Sequence, residues 1–433
     1  MYRNVLKIFR EKTFITLMII PLVFLVLRLS LVPVAWPEKP PMDCIYQDDK
    51  GYEGCGFIFD EAHYIPAVRI MKTLNQPVNL EHPPLSKWII MLGMSLFGDN
   101  PWGWRSLNVL FSTITLLIVG LLVFELSKNV KLSLIAQSLT FMDVTFFNIS
   151  GFAILDPPAL AFMMLTLYLY VKGYRLFSGI SLGLSMLSKS SMILVALSLI
   201  TIEIAYPIVN KKTIEEFINS FRRVVRTIII PAIIVLLVGL GVYDAVSGAF
   251  PTPIHHLDFI FRYHSSLVFQ DPAVVEMPLS WIIPPITRHP SAYYVVTVTP
   301  PGWHPVAFWG VSSPLWWSIW IIVPLAYVFL KDNRSVGNPC PEIILLGWII
   351  ATYGSFILLG YIYHRWMYLF YFLQISPIIA SIAPIIFEKN GYSLLLKVLI
   401  VLQALWFIMW FPVKPDWLLE LMLNLGLGEV PWI

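Results

Sequence analysis

Apolar stretches long enough to cross a bilayer recur along almost the whole chain, and this limits the possible fold more than any other feature. Hydrocarbon offers no water to satisfy backbone N–H and C=O groups, so a crossing segment must be a helix of about 20 apolar residues. By that rule the sequence holds about eleven spans. They begin near Thr13, Arg105, Lys131, Leu155, Leu176, Ser190, Thr227, Ser312, Pro341, Arg365 and Tyr392. The run from Leu176 to Lys189 is too short for a straight crossing and is expected to tilt or to join the next helix. The first run, from about Thr13 to Trp36, exceeds the roughly 7–15 residues of a signal-peptide core and is expected to remain a membrane helix.

Composition supports this class. Of 433 residues, 58% are hydrophobic and 13% charged, with a mean hydropathy of +0.75, whereas roughly a quarter of the residues of soluble domains are charged. The net charge is only +3, with Lys and Arg scattered among apolar runs. The basic stripe needed for nucleic acid is missing, so no nucleic-acid partner is expected, and lipid is the expected surroundings. Cys44 and Cys55 lie in one loop and Cys340 far downstream. In an oxidising compartment the first two could form a disulfide, but spacing alone leaves that open.

Orientation is read from the basic residues, because short cytoplasmic loops carry the excess. Arg3, Lys7, Arg10 and Lys12 fall on one side, with Lys128, Lys131, Lys172, Arg175, Lys211, Lys212, Arg222, Arg223, Arg226, Lys331 and Arg334. The N-terminus is therefore expected to be cytoplasmic. Two long loops, residues 37–104 and 250–311, and the C-terminal tail are expected outside. Residues 1–433 read as a single polytopic membrane domain: an all-α integral membrane bundle with interfacial helices in the first outer loop. Those are expected over Asp60–Leu74 and Pro84–Gly98, the second being too short to span.

The densest polar cluster is Phe59-Asp60-Glu61-Ala62-His63-Tyr64, followed by Glu81-His82-Pro83-Pro84-Leu85-Ser86-Lys87-Trp88 and then Trp104-Arg105. Ionisable groups near membrane depth are costly and adjacent carboxylates repel, so acid, base and cation gathered at one face suggest a site. The plainer alternative is a hydrated loop at headgroup level.

These residues resemble the protein O-mannosyltransferase family, within the GT-C class of membrane glycosyltransferases. The similarity continues through Leu155-Asp156, Tyr263-His264-Ser265-Ser266-Leu267, the stretch Ser313 to Trp320, and Arg365-Trp366-Met367-Tyr368. It departs at Phe370-Tyr371-Phe372-Leu373-Gln374, where the family carries Tyr-His-Tyr-Leu-Pro, and the second long loop has no room for the β-trefoil insert of eukaryotic members.

The resemblance implies a GT-C-type bundle and an inverting transfer of a hexose, mannose by family, from a polyprenyl (dolichyl) phosphate donor to Ser/Thr hydroxyls of extracytoplasmic protein. It implies Asp60 as the base that takes the hydroxyl proton. Lys87 and Arg105, assisted by Arg365, are the expected partners of the donor phosphate, since a phosphate leaving group needs cations rather than an acid. The plainer reading of each is an interfacial anchor whose stem lies along apolar surface. Glu61 could orient the acceptor, bond Arg105, or join Asp60 and His63 around a divalent metal; no cofactor is certain. His82, Asp156, His264, Trp316 and Trp317 are candidates for substrate contact. Against these stand plainer readings: helix-entry residues for His82 and Asp156, and an interfacial aromatic belt for the tryptophans. Lys189 faces outward with its role open.

Two other functions remain open at this level: a related transferase acting on a lipid or glycan acceptor, and a secondary transporter. Transporters favour midplane sites between repeats, and no repeat is visible here.

Overall fold

The computed structural model describes residues 2–35, 57–74, 76–271, 275–285, 291–295, 302–305, 307–333 and 335–425. The proposed Cys44–Cys55 pairing lies outside them. In chain order the helices are α1 (Tyr2–Ser30), α2 (Glu61–Leu74), α3 (Leu85–Phe97), α4 (Pro101–Ser127), α5 (Val130–Phe141), α6 (Val144–Ile149) and α7 (Asp156–Val171). Then come α8 (Arg175–Ser188), α9 (Ile193–Val209), α10 (Ile214–Val224), α11 (Ile230–Ser247), α12 (Pro253–Ser266) and α13 (Pro278–Trp281). The rest are α14 (Pro314–Trp317), α15 (Ile319–Asp332), α16 (Pro341–Trp348), α17 (Gly354–Tyr361), α18 (Ser376–Lys389), α19 (Ser393–Met409) and α20 (Asp416–Asn424).

Two small antiparallel sheets depart from the all-helical expectation: β1 (Ser291–Val295) with β3 (Ala307–Gly310), and β2 (Trp303–Pro305) with β4 (Val413–Pro415). The first three strands lie toward the end of residues 250–311, where the backbone is not committed to a span, and β4 follows the last long helix.

Six helical stretches among the described residues are long and apolar enough to cross a membrane: Lys12–Val34, Pro101–Ser127, Ser190–Val209, Ile214–Ser247, Pro314–Asp332 and Pro341–Tyr361. The spans expected near Lys131, Leu155 and Tyr392 are the shorter apolar helices α5, α7 and α19, so helix length does not support a count of about eleven. The span expected to start at Arg365 begins only at Ser376. Residues Leu369–Gln374 form a 3-10 turn instead, and Pro377 sits in the first turn of α18, where its missing N–H costs no intrahelical bond. α2 and α3 are the two helices expected within residues 37–104.

Burial explains how the bundle closes. α4 packs against α1, α3, α5, α7 and α18, and α8 lies between α7 and α11. Side chains turned away from it, such as Val26, Ile350 and Leu394, are apolar and exposed, as a lipid-facing surface requires. Between α7 and α8 the contact is polar and close: the hydroxyls of Ser178, Ser181 and Ser185 donate to the carbonyls of Thr166, Phe162 and Ala159 at 2.8–2.9 Å. Small hydroxylated residues let two backbones approach where lipid removes the hydrophobic drive between helices. The α3–α4 turn is closer still, since a Cβ on Gly103 would lie 1.9 Å from the Gly98 carbonyl oxygen.

Candidate active site

The site is assembled from helix ends at one face of the bundle: the start of α2, the start of α7, the end of α8, the end of α12 and the segment after α17. Phe59, at φ +50°, makes a tight turn before α2. The next carbonyl, that of Asp60, accepts from the N–H groups of His63 and Tyr64 at 2.9 and 3.2 Å and so starts the helix. A bulky residue with positive φ is uncommon and persists only where its surroundings hold it.

Glu61 supplies that hold. It is fully buried, and its carboxylate takes 2.7 Å bonds from Nε and an η nitrogen of Arg105, plus the N–H groups of Ile58 at 2.9 Å and Ala153 at 2.8 Å. The other η nitrogen of Arg105 donates to the Val32 carbonyl at 2.9 Å. Asn108 fixes the same layer by donating to the carbonyls of Phe152 and Ile154. Beside it, Arg28 donates to the carbonyls of Phe147 and Asn148 and lies flat on Gly151, where a Cβ would fall 1.8 Å from the guanidinium carbon.

This geometry corrects one expectation and selects among the alternatives for another. Arg105 is not a free phosphate ligand, because it spans Glu61 and Val32 inside the protein, and of the roles open to Glu61 the structure shows the bond to Arg105, its oxygens being occupied by donors. Lys87 is likewise fully buried, its ammonium bonded to the carbonyls of Asn79 and His82. Both cations brace backbone around the site. The trio Asp60, Glu61 and His63 does not fit a metal either: the Glu61 oxygens already face four N–H groups, and among the described residues no three of His, Cys, Asp and Glu gather as ligands.

Asp60 is the exception among these acids. Its side chain is half-buried, and among the described residues its carboxylate takes no hydrogen bond. Burial pushes its pKa up to about 6; the field of Asp156 also raises it, while Lys189 and His63 oppose. Asp156 opens α7 and binds Lys189, at the end of α8, through both carboxylate oxygens at 2.7 and 2.8 Å. The Lys189 ammonium lies 4.7 and 5.1 Å from the ring centres of Phe370 and Tyr371.

Arg365 is brought in by a backbone bridge between Val268 and itself. It donates to the carbonyl of His264 and, at 3.1 Å, to Nδ1 of that ring. Burial, with Arg365 adding to it, lowers His264 to about 4. Since arginine only donates, Nδ1 must accept and the ring proton sits on Nε2, 3.0 Å from the Ser190 hydroxyl. His82, held well below its usual range by burial, lies 5.2 Å from the His264 ring and 5.8 Å from that of Tyr64. His63 is exposed at the mouth.

The structure thus brings Asp60, His63, His82, Asp156, His264 and Arg365 together. It places Trp316 elsewhere, fully buried on Phe372 with its indole N–H donating to Asp143 at 2.7 Å. Trp317 packs on Trp406 and donates to Ser312. Sugar stacking by these two is therefore corrected to packing. The aromatic wall beside Asp60 is made by Phe59, Tyr293, Tyr368 and Phe370. In the sequence Tyr368 stands out only as part of the arginine motif. Lys189 has no role there, because nothing in a linear pattern pairs it with Asp156.

This arrangement of helix ends can be compared with known proteins. Residues 81–247 match the family model described as dolichyl-phosphate-mannose-protein mannosyltransferase. Two curated relatives named polyprenol-phosphate-mannose–protein mannosyltransferase are similar to this chain. The one from Corynebacterium glutamicum is 31% identical over 111 residues, 23% of this chain and 21% of that protein. The one from Mycobacterium tuberculosis is 31% identical over 105 residues, 23% and 20% respectively. The chain thus matches about a fifth of the length of these relatives. Among solved structures, ArnT from Cupriavidus metallidurans in the apo state superposes with a TM-score of 0.53 at 13% identity, covering 86% of this chain and 60% of that one. The same protein bound to undecaprenyl phosphate gives 0.52 at 13% identity, covering 85% and 60%. The fold is that of the GT-C-type membrane glycosyltransferases.

Proposed function

We propose that this chain is an inverting glycosyltransferase that moves mannose from a polyprenyl (dolichyl) phosphate to Ser/Thr hydroxyls of protein on the extracytoplasmic side. The observation that carries this reading is the Asp60 carboxylate, which among the described residues accepts no hydrogen bond and lies beside Lys189 and an aromatic wall at one face of a membrane bundle. A base must be unoccupied and must titrate near the working pH, and Asp60 meets both conditions.

In the proposed reaction the acceptor O–H gives its proton to the Asp60 carboxylate as its oxygen attacks the anomeric carbon. The bond from that carbon to the phosphate oxygen breaks, the configuration inverts, and polyprenyl phosphate leaves as an anion. A glycosidase would need a second, protonated carboxyl for its leaving group; phosphate needs none. Arg365, half-buried rather than enclosed, is the cation placed to hold it, while Lys189 is buried and paired with both oxygens of Asp156. The names of the curated relatives support polyprenol-phosphate mannose as the donor and protein as the acceptor. Undecaprenyl phosphate bound to ArnT, a protein of the same fold, supports a polyprenyl carrier. The distribution of Lys and Arg supports a cytoplasmic N-terminus with the site outside.

Purified protein supplied with labelled polyprenyl-phosphate mannose and a Ser/Thr peptide tests the reading. Label on the peptide is expected. Label on a lipid or glycan instead would replace the acceptor, and no transfer to any of these would remove the proposal.

A further inference from the structure

The span Ser190–Val209 leaves the site at Ser190, whose hydroxyl meets the His264 ring, so α10, which follows it, starts at the opposite end of the bundle. There the charge of the chain is concentrated. Residues 211–226 hold five Lys and Arg and two Glu, an excess of three that equals the net charge of +3 of the entire chain.

α10 begins at a fixed point, because Thr213 and Glu216 cap it reciprocally. The Thr213 hydroxyl accepts from the Glu216 N–H at 3.3 Å, and the Glu216 carboxylate accepts from the Thr213 N–H at 3.1 Å. It continues through Val225–Ile229 into α11, giving one helical stretch, Ile214–Ser247, of 34 residues. At 1.5 Å per residue that is about 51 Å, well beyond the roughly 30 Å of hydrocarbon. The uncharged run from Thr227 to Tyr243 covers about 26 Å and fits the hydrocarbon, which sets Arg222, Arg223 and Arg226 at the level of the lipid headgroups.

Around this end of the helix the side chains sort by face. Ser220 and Val224 turn into the bundle and are buried. Ile214, Ile218 and Phe221, four and three residues apart, form an apolar stripe that is exposed. Arg222 stands beside that stripe, four residues beyond Ile218, and Arg226 follows one turn later. Both arginines are exposed, and among the described residues neither pairs with a carboxylate: Glu216 is engaged by Lys212, and Glu203 by Arg175 and Arg223. Like charges one helical turn apart repel, and an anion between them removes that cost.

We propose that this end of α10 is a docking site for anionic phospholipid, with the lipid phosphate between Arg222 and Arg226 and with Ile214, Ile218 and Phe221 at the acyl boundary. Arginine suits the task, since its planar fork donates paired hydrogen bonds to phosphate. An amphipathic helix with basic residues beside its apolar stripe gains from both terms at an anionic surface. A choline headgroup would bring its own cation into a patch that is already positive, so charge complementarity selects the anionic lipid. The inference is independent of the transfer chemistry, because the site of Asp60 lies at the other end of the bundle.

Native mass spectrometry of the detergent-purified protein, titrated with phosphatidylglycerol or with phosphatidylcholine, tests this. Wild type should take up its first phosphatidylglycerol more tightly than phosphatidylcholine. Arg222→Gln combined with Arg226→Gln should weaken that step about 30-fold, a factor of about five for each cation at an anionic surface, and leave phosphatidylcholine uptake unchanged. Arg222→Lys with Arg226→Lys should keep most of the preference, because the charge remains. Without lipid the unfolding midpoint of the Gln variant should match wild type, since both side chains are exposed. Equal affinity for phosphatidylglycerol in wild type and the Gln variant would overturn the site. So would a dimer in the same spectra that the Gln variant dissolves with lipid uptake unchanged, which would give this face to a second copy of the chain.

Discussion

Glu61 and Arg105 form a doubly hydrogen-bonded ion pair at 2.7 Å, with almost no exposure of either side chain. Three further bonds, from Ile58 and Ala153 to Glu61 and from Arg105 to Val32, complete its satisfaction. The pair anchors the turn that presents Asp60, and it divides two adjacent carboxylates into one that holds structure and one that is open to a substrate proton.

Breaking the pair should cost folding first. Arg105→Ala leaves Glu61 charged and buried, a loss of about 3–5 kcal/mol by comparison with other buried pairs. Thermal unfolding in detergent should show a markedly lower midpoint. A variant with normal stability but weakened donor binding would restore Arg105 to the phosphate.

Arg365 is expected to behave in the opposite way. Arg365→Ala should leave unfolding close to wild type, because the side chain is half-buried and among the described residues is bonded to His264 alone. Transfer should fall through weaker donor binding or turnover, by about tenfold or more for a lost charged contact. Unchanged kinetics would make it an anchor.

Acidity gives a further test. Asp60 must be ionised to accept a proton, and burial raises its pKa to about 6. The active fraction therefore rises with pH through about 6, and kcat/KM should fall tenfold per pH unit well below it. The same shift has the reverse sign for stability: a buried carboxylate costs least when protonated, so Asp60 favours the fold below its pKa and disfavours it above. An acid limb near pH 4, as for an ordinary carboxylate, would contradict the environment described for Asp60.

Gly151 is predicted to tolerate no side chain. Gly151→Ala drives a methyl group into the Arg28 guanidinium, which is buried and bonded to Phe147 and Asn148. The folded yield should drop, and a wild-type melting curve would show that Arg28 has another place to go.

Much of this was legible in the chain. Apolar runs of spanning length gave the class, the short run from Pro84 gave a non-spanning helix, and the Phe59–Tyr64 cluster marked the site-bearing turn. What the sequence could not reveal was partnership. Asp60 and Glu61 look alike in a linear reading, and only Arg105, 44 residues on, separates their roles. Lys87 and Arg105 looked like ligands because cations next to a site usually are, yet each meets protein oxygen first. Lys189 and Asp156 lie 33 residues apart on different helices, so their pairing follows from packing alone. The tryptophans at Trp316 and Trp317 fit an interfacial belt or a sugar platform equally well until burial decided against the platform.

The central claim is that one unoccupied carboxylate takes the acceptor proton, and Asp60→Asn measures it most directly. With labelled polyprenyl-phosphate mannose and a Ser/Thr peptide, turnover should fall by orders of magnitude while unfolding and donor binding stay close to wild type. Turnover within a few fold of wild type in that variant would contradict the account.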